Sequence, residues 1–173
     1  MKKRNLITLA LALLFLGVSG ARGQEPPKQG PEYDVLKKLV GTWNISMKDG
    51  GNESLGTITY KSELNGVWIA NDLSVDFGGF KYQGHGMNSY DDQKKKYLTV
   101  WFDNMVTLPT TSEGTYDKAK KTLTMTGEGR GMDGKMEKQK SVLEFVDDNT
   151  INFTMYSGDG KDPTFSSVYK RKK

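Results

Sequence analysis

Two stretches, YDDQKKKYLTVWFD (90–103) and GTYDKAKKTLTMTGE (114–128), decide the fold of this chain. Each places Tyr-Asp-x-x-Lys-Lys beside a run of alternating residues. Asp91 and Asp117 can accept hydrogen bonds from backbone N–H groups two residues on, which fixes a turn while the lysines stay in water. A calcium loop would need several oxygen ligands at regular spacing, closed by a bidentate Glu, and neither stretch has them. Both therefore read as corners between strands. A third joint, VDDNT (146–150), has the same grammar without lysines.

Working outward, the rest of the chain repeats the pattern. Trp43, Ile45 and Met47 alternate with Asn44 and Ser46 before Asp49-Gly50-Gly51-Asn52 turns. Thr- and Tyr-rich residues 55–64 lead into Asn65-Gly66, a tight-hairpin signal. Val67, Ile69, Leu73, Val75 and Phe77 are spaced by two, with Asn71 the one polar member of that face. Further strands are predicted at 80–87, 96–103, 106–115, 122–128, 135–145, 151–156 and 164–171, with Asp, Asn, Gly and Pro at the joints. One helix is predicted, PEYDVLKKLVG (31–41): proline opens it, acids precede lysines, and Gly41 can end it. About ten sequential strands with no room for a crossover helix make an all-β, closed, up-and-down antiparallel barrel with one short N-terminal helix. A two-sheet sandwich is the alternative, because alternation alone does not separate the two.

Lys2, Lys3 and Arg4, the apolar run LITLALALLFLGV, and Ala21-Arg22-Gly23 have the layout of a secretory signal. That run is about thirteen residues, short for a membrane span of roughly twenty. Residues 1–23 are read as the signal, 24–30 (QEPPKQG) as a linker, and 31–173 as one barrel domain. The expected address is exported, periplasmic or extracellular, with no stable membrane span after cleavage. The chain has no cysteine, so neither a lipid anchor on Cys nor a disulfide is available. The net charge of +4 is misleading. Four of the 25 basic residues lie in the signal, leaving 21 against 21 acidic ones. A neutral body lacks the field that nucleic-acid binders use, so no nucleic-acid partner is expected.

With a single histidine, multi-histidine metal sites and Cys–His pairs are excluded, and no metal site is expected. His85 falls on the strand face with Lys81 and Gln83, opposite Phe80, Tyr82 and the glycines of Gly84-His85-Gly86. A haem ligand must sit on a lined, interior face, so haem through His85 is disfavoured and no cofactor is expected. The carboxylates Asp72, Asp76, Asp103 and Glu113 show no spacing that singles out a catalytic pair. Aromatic residues are more informative, being spread over the strands. Inward aromatics of a barrel either fill it or line a cavity. Strand 96–103 carries Leu98, Val100 and Phe102 on one face and Tyr97, Thr99, Trp101 and Asp103 on the other. Both faces are too apolar for plain solvent, so one is expected to meet the helix, a ligand, or a partner subunit such as a second copy in a homodimer.

LVGTW (39–43) after a short helix resembles the Gly-x-Trp opening of calycin barrels, the lipocalin and fatty-acid-binding group. In order, LVGTW, YDDQKKKYLTVWFDNM, GTYDKAKKTLTMTGE and the closing VYKRK together resemble the bacterial family known as domain of unknown function 1579, typically secreted and lipocalin-like. The resemblance spans about Tyr33 to Arg171. It implies a calycin-type barrel in which Trp43 packs at the closed end under Arg171 of the last strand, and it gives Gly41, Trp43 and Arg171 structural roles. It brings no activity and no catalytic residues. A haem-binding relative among ten-stranded barrels uses a histidine near the final strands, and this chain has none there.

The reading that ranks first is an exported, non-enzymatic barrel binding a small, apolar or amphipathic molecule. Tyr60, Tyr82, Trp101 and Tyr169 would line the interior, with Asp103 orienting a polar group. Second comes an envelope interaction module with a solid barrel, its aromatic strand 96–103 meeting a partner. Third is an enzyme using Asp103 with neighbouring Tyr or Lys groups.

Overall fold

The computed structural model describes residues 28–49, 52–131 and 133–173; the signal reading and most of the linker lie outside these. After a short helix α1 (Tyr33–Lys37), ten strands follow: β1 (Gly41–Asp49), β2 (Asn52–Glu63), β3 (Trp68–Asp76), β4 (Lys81–Asp91), β5 (Lys96–Asp103), β6 (Thr110–Asp117), β7 (Thr122–Arg130), β8 (Met136–Asp147), β9 (Thr150–Ser157) and β10 (Phe165–Arg171). Each pairs antiparallel with the next, and β1 pairs with β10, so the sheet closes without an edge. The closed up-and-down barrel expected from the alternation is what the chain forms.

The three aspartate corners lie at one end of the barrel. Asp91 Oδ1 accepts from the N–H groups of Gln93 and Lys94 at 2.9 and 3.0 Å, and Asp117 Oδ1 from Ala119 and Lys120 at the same distances. Asp147 Oδ1 accepts from Asn149 N–H at 2.7 Å. Lys95 and Lys121 close the first two corners with φ of 57° and 53°, a left-handed step that re-aims the chain into the next strand. These backbone donors hold the carboxyls of Asp91, Asp117 and Asp147 below the usual range. A carboxylate with a depressed folded pKa contributes stability above its unfolded value, near 4, and loses it as pH falls through the folded one. Asp→Asn at all three corners is therefore expected to flatten the fall in melting temperature below about pH 4, checked by thermal melts against pH.

The same end is closed by α1. It is shorter than the sequence suggests: the amides of Leu39 and Val40 bond three residues back, to Leu36 and Lys37, and Gly41 turns out with φ of 126°. Tyr33, Val35, Leu36 and Leu39 are buried beneath the strands. The hydroxyl of Tyr33 donates to Tyr90 O at 3.2 Å and that of Tyr97 to Glu32 O at 3.0 Å. Trp43 Nε1 donates to Leu39 O at 2.7 Å. Over the Trp43 ring lies the Arg171 guanidinium, 4.1 Å from the centroid, donating to Val40 O, Lys38 O and Asp148 O at 2.7–2.9 Å. One cation thus caps an indole, two carbonyls just after the helix and one at the β8–β9 corner.

Strand β6 begins four residues later than the alternation predicts. Asp103 Oδ1 accepts from the N–H groups of Met105 and Val106 at 2.9 and 3.1 Å, bending this stretch into a loop that runs to Pro109. Gln29, at the linker's end, donates to Asn65 O in the β2–β3 turn at 2.6 Å. No helix among the described residues is long and apolar enough to cross a membrane.

Candidate functional site

Strand register fixes which side chains face in. Trp43, Ile45 and Met47 point inward on β1, and the pairing carries that face to Tyr60 on β2, Asn71 on β3, Tyr82 on β4, Trp101 on β5 and Tyr169 on β10. Among the described residues the register shifts only between Phe145 and Asp147, so parity holds around the ring. The interior differs along its length. Near α1 the inward positions (Trp43, Ile58, Ile69, Tyr97, Leu123, Phe145 and Ile151) are buried. Towards the opposite, open end the inward Tyr82, Trp101, Asp103, Ser112, Gln139 and Phe153 are only half-buried. An inward side chain is wetted only from within the barrel or through its mouth.

On one wall Trp101 lies flat against β4. A methyl at Gly84 would overlap its ring, and one at Gly86 would fall 3.0 Å from Cε3. Glycine is needed there so that the indole can approach the backbone. Trp101 Nε1 donates to Asp103 Oδ2 at 3.1 Å and to Tyr82 Oη at 3.3 Å, and Tyr82 donates to the same Asp103 oxygen at 3.1 Å. Both Asp103 oxygens are therefore engaged by the protein itself, one holding the two aromatics and the other capping the loop. The opposite wall is a run of rings on β9 and β10. Phe153 stacks on Tyr169 with centroids 5.8 Å apart and an interplanar angle of 14°, and Phe165 follows at 5.7 Å.

Beside Trp101 a polar belt crosses β3, β4 and β5. Thr99 Oγ1 donates to Asn88 Oδ1 at 2.9 Å. Asn88 Nδ2 donates to Asn71 Oδ1 at 2.8 Å and Ile69 O at 2.9 Å. Asn71, the polar exception on an apolar face, is 3 % exposed. Tyr60 and Tyr169 lie deeper, at 6 % and 4 % exposure. Burial raises the pKa of both phenols, and the proximity of Tyr169 adds to the rise at Tyr60. Tyr82 is also raised, first by burial and then by the Asp103 charge, and its own charge is felt at Tyr169. The three phenols thus share the inner face of the barrel on β2, β4 and β10, with Tyr169 near enough to be felt at Tyr60 and Tyr82 at Tyr169. Tyr97, in the closed half, is pushed up to about 12, mainly by burial.

These shifts have a pH consequence. The unfolded phenol ionises near 10 while the folded ones retain their protons, so stability is fully present below pH 10 and is lost as pH rises towards the folded values. Alkaline unfolding is expected to begin above about pH 10, with phenolate absorbance rising in step with loss of structure. Replacing Tyr60 and Tyr169 by Phe is expected to move that transition upward in pH.

His85 lies on the outer face, exposed, with Nδ1 2.9 Å from Asp72 Oδ1. Among the described residues no cluster of His, Cys, Asp or Glu could hold a metal. Phe102 points outward and is 46 % exposed, while Trp101 of the same strand points in. Two clefts lie away from the interior. One of about 230 Å³ surrounds Arg171 and Asp148 at the closed end, and a shallower one of about 470 Å³ lies on the β2–β3 wall by Leu55 and Asp76. In the first, the guanidinium is already engaged with backbone carbonyls. Asn71, Asn88, Thr99 and Ser167 were not singled out from sequence. The break at Asn71 in an apolar face was the usable signal, whereas Ser167 offered none.

The architecture defines a ten-stranded, up-and-down antiparallel β-barrel plugged at one end by a helix. The chain belongs to the family described as protein of unknown function (DUF1579), whose profile matches residues 28–171. Among solved structures it is similar to Rv2717c from M. tuberculosis, at 13% identity and a TM-score of 0.58 over 84% of this chain and 100% of that one. At this identity the likeness is one of fold. Two redesigned beta barrels also match: b11L5F_LGL (13% identity, TM-score 0.44, 80% and 96% covered) and mFAP0 bound to DFHBI (11%, 0.43, 78% and 99%). Among curated proteins no match is found.

Proposed function

We propose that the protein is an exported, non-enzymatic carrier that binds a small, partly apolar molecule in the open half of its barrel. The observation that carries this reading is the contrast along the interior. Aliphatic and aromatic side chains pack the closed half, while inward aromatic and polar side chains of the open half stay half-buried between two aromatic walls. Such a lining, apolar with a few convergent polar groups, is how small-molecule sites are built. The engagement of both Asp103 oxygens favours binding over catalysis, because no free carboxylate is left there as a base. Export is supported by the basic, apolar and small-residue layout of residues 2–23.

Native mass spectrometry of mature protein recovered from its own envelope is the test. An extra mass that is lost on denaturation is expected; a reproducibly bare monomer would count against a carrier. A second reading, an interaction module, is favoured by exposed apolar residues on two neighbouring loops: Phe77 and Phe80 between β3 and β4, and Met105 and Leu108 between β5 and β6. A dimer or a bound protein in the same spectrum would support that reading.

A further inference from the structure

We infer that the barrel's ligand is a flat, uncharged molecule bearing a hydrogen-bond-accepting oxygen, held by the hydroxyls of Tyr60 and Tyr169 and the amide of Asn71. This rests on the carrier reading above and assigns it a ligand class.

Three observations converge. The first is a surplus of donors. The belt from Thr99 through Asn88 to Asn71 runs in one direction, each group donating to the next, and ends with Asn71 Oδ1 occupied. What Asn71 has left to offer is Nδ2, a donor, and its cross-strand partner is Tyr60. Neither Nδ2 nor the Tyr60 hydroxyl closes a hydrogen bond to a described residue. Ser167 Oγ, inward on β10, is the one fully buried side-chain polar atom without a hydrogen bond among the described residues, although it lies near enough to Tyr169 to oppose the rise in that phenol's pKa. A fully buried polar atom without a partner is rare in folded proteins and costs stability, so Ser167 Oγ, on the same inner face as those open donors, points to an occupant.

The second observation is charge. Inward positions carry no lysine among the described residues, and Arg171 faces the closed end, where it caps Trp43. A carboxylate or phosphate entering this space would be desolvated with no cation to meet it. Neutral phenols and an amide suit a carbonyl or ether oxygen instead.

The third is shape. Trp101 on β5 and the Phe153–Tyr169 stack on β9 and β10 stand on opposite sides of the ring of strands. Two such walls favour a planar molecule between them.

The experiment uses three probes of one ring system, measured by equilibrium dialysis against the full mature protein: fluorenone, fluorene, and a fluorenone carboxylate. Fluorenone is expected to bind about tenfold or more tighter than fluorene, the difference being its carbonyl, and tighter than the carboxylate. In the Tyr60→Phe, Tyr169→Phe double variant that preference is expected to shrink to about twofold, with fluorene binding unchanged. Fluorene serves as the internal control for folding, and Tyr169→Phe alone gives the same comparison if the double variant does not fold. Equal binding of fluorene and fluorenone would overturn the ligand class and leave the carrier standing. So would tightest binding of the carboxylate. Failure of all three probes to bind would overturn the ligand class and the carrier reading together.

Discussion

Replacing Trp43 by alanine is expected to destabilise the barrel by about 3–5 kcal/mol, the range for emptying a buried aromatic site. Trp43 is 1 % exposed, and it links three elements. Its ring packs the closed end, its Nε1 ties Leu39 O after the helix, and its face supports the guanidinium of Arg171. Removing the ring creates a cavity and also withdraws the platform beneath a cation that satisfies three carbonyls. Urea unfolding monitored by far-ultraviolet circular dichroism checks this. If the alanine variant does not fold, Trp43→Phe keeps most of the volume and loses the N–H, with an expected cost of roughly 1–3 kcal/mol for the stranded carbonyl. A loss below about 1 kcal/mol for Trp43→Ala would mean that the closed end is not held together by this residue.

Replacing Asp103 by alanine is expected to cost roughly 2–4 kcal/mol, through two kinds of lost bond. Oδ2 accepts from Tyr82 and Trp101 inside the barrel, and Oδ1 accepts from two loop amides. Asp103→Asn separates the two effects. Its amide oxygen can go on capping the loop, but its NH₂ then faces the Trp101 N–H, and two donors cannot bond each other. The Asn variant is therefore expected to retain about half the stability lost in Ala and to change the emission of Trp101. If Asn were as stable as wild type with unaltered emission, Asp103 would not be what holds the indole on its wall. Sequence reasoning named this residue as one that orients a ligand's polar group; in the structure its oxygens accept from Trp101, Tyr82 and two loop amides.

What could be read before the fold was known was mostly periodic or local. The corners at Asp91, Asp117 and Asp147 were legible because an aspartate accepting from amides two or three residues on is an event within four residues. Strand β5 was legible to the residue because Lys96 and Asp103 bound a clean alternation. The start of β6 was not, since residues 106–109 alternate acceptably and only the Asp103 cap takes them out of the sheet. Helix α1 was over-read at its C-terminal end, because its apolar period continues through Leu39 and Val40 where the backbone tightens and turns. For the site, the spread of aromatics over the strands named Tyr60, Tyr82, Trp101 and Tyr169, but which face of each strand points inward was not legible. That they share one inner face, and that an Asn–Asn–Thr belt runs beside Trp101, depends on registers between strands, which no single strand encodes. The Gly84-His85-Gly86 step is the intermediate case. Its glycines stood on the face of Tyr82, but only the pairing of Gly86 with Trp101 shows what they make room for.

The central claim is that the open half of the barrel receives a small molecule from within. Intermolecular nuclear Overhauser effects between bound fluorenone and the labelled protein test it most directly. Contacts to Trp101, Phe153 and Tyr169 on the two inner walls are expected. Contacts confined to Phe77, Phe80, Phe102 and Leu108 on the outside and at the loop tips would contradict it.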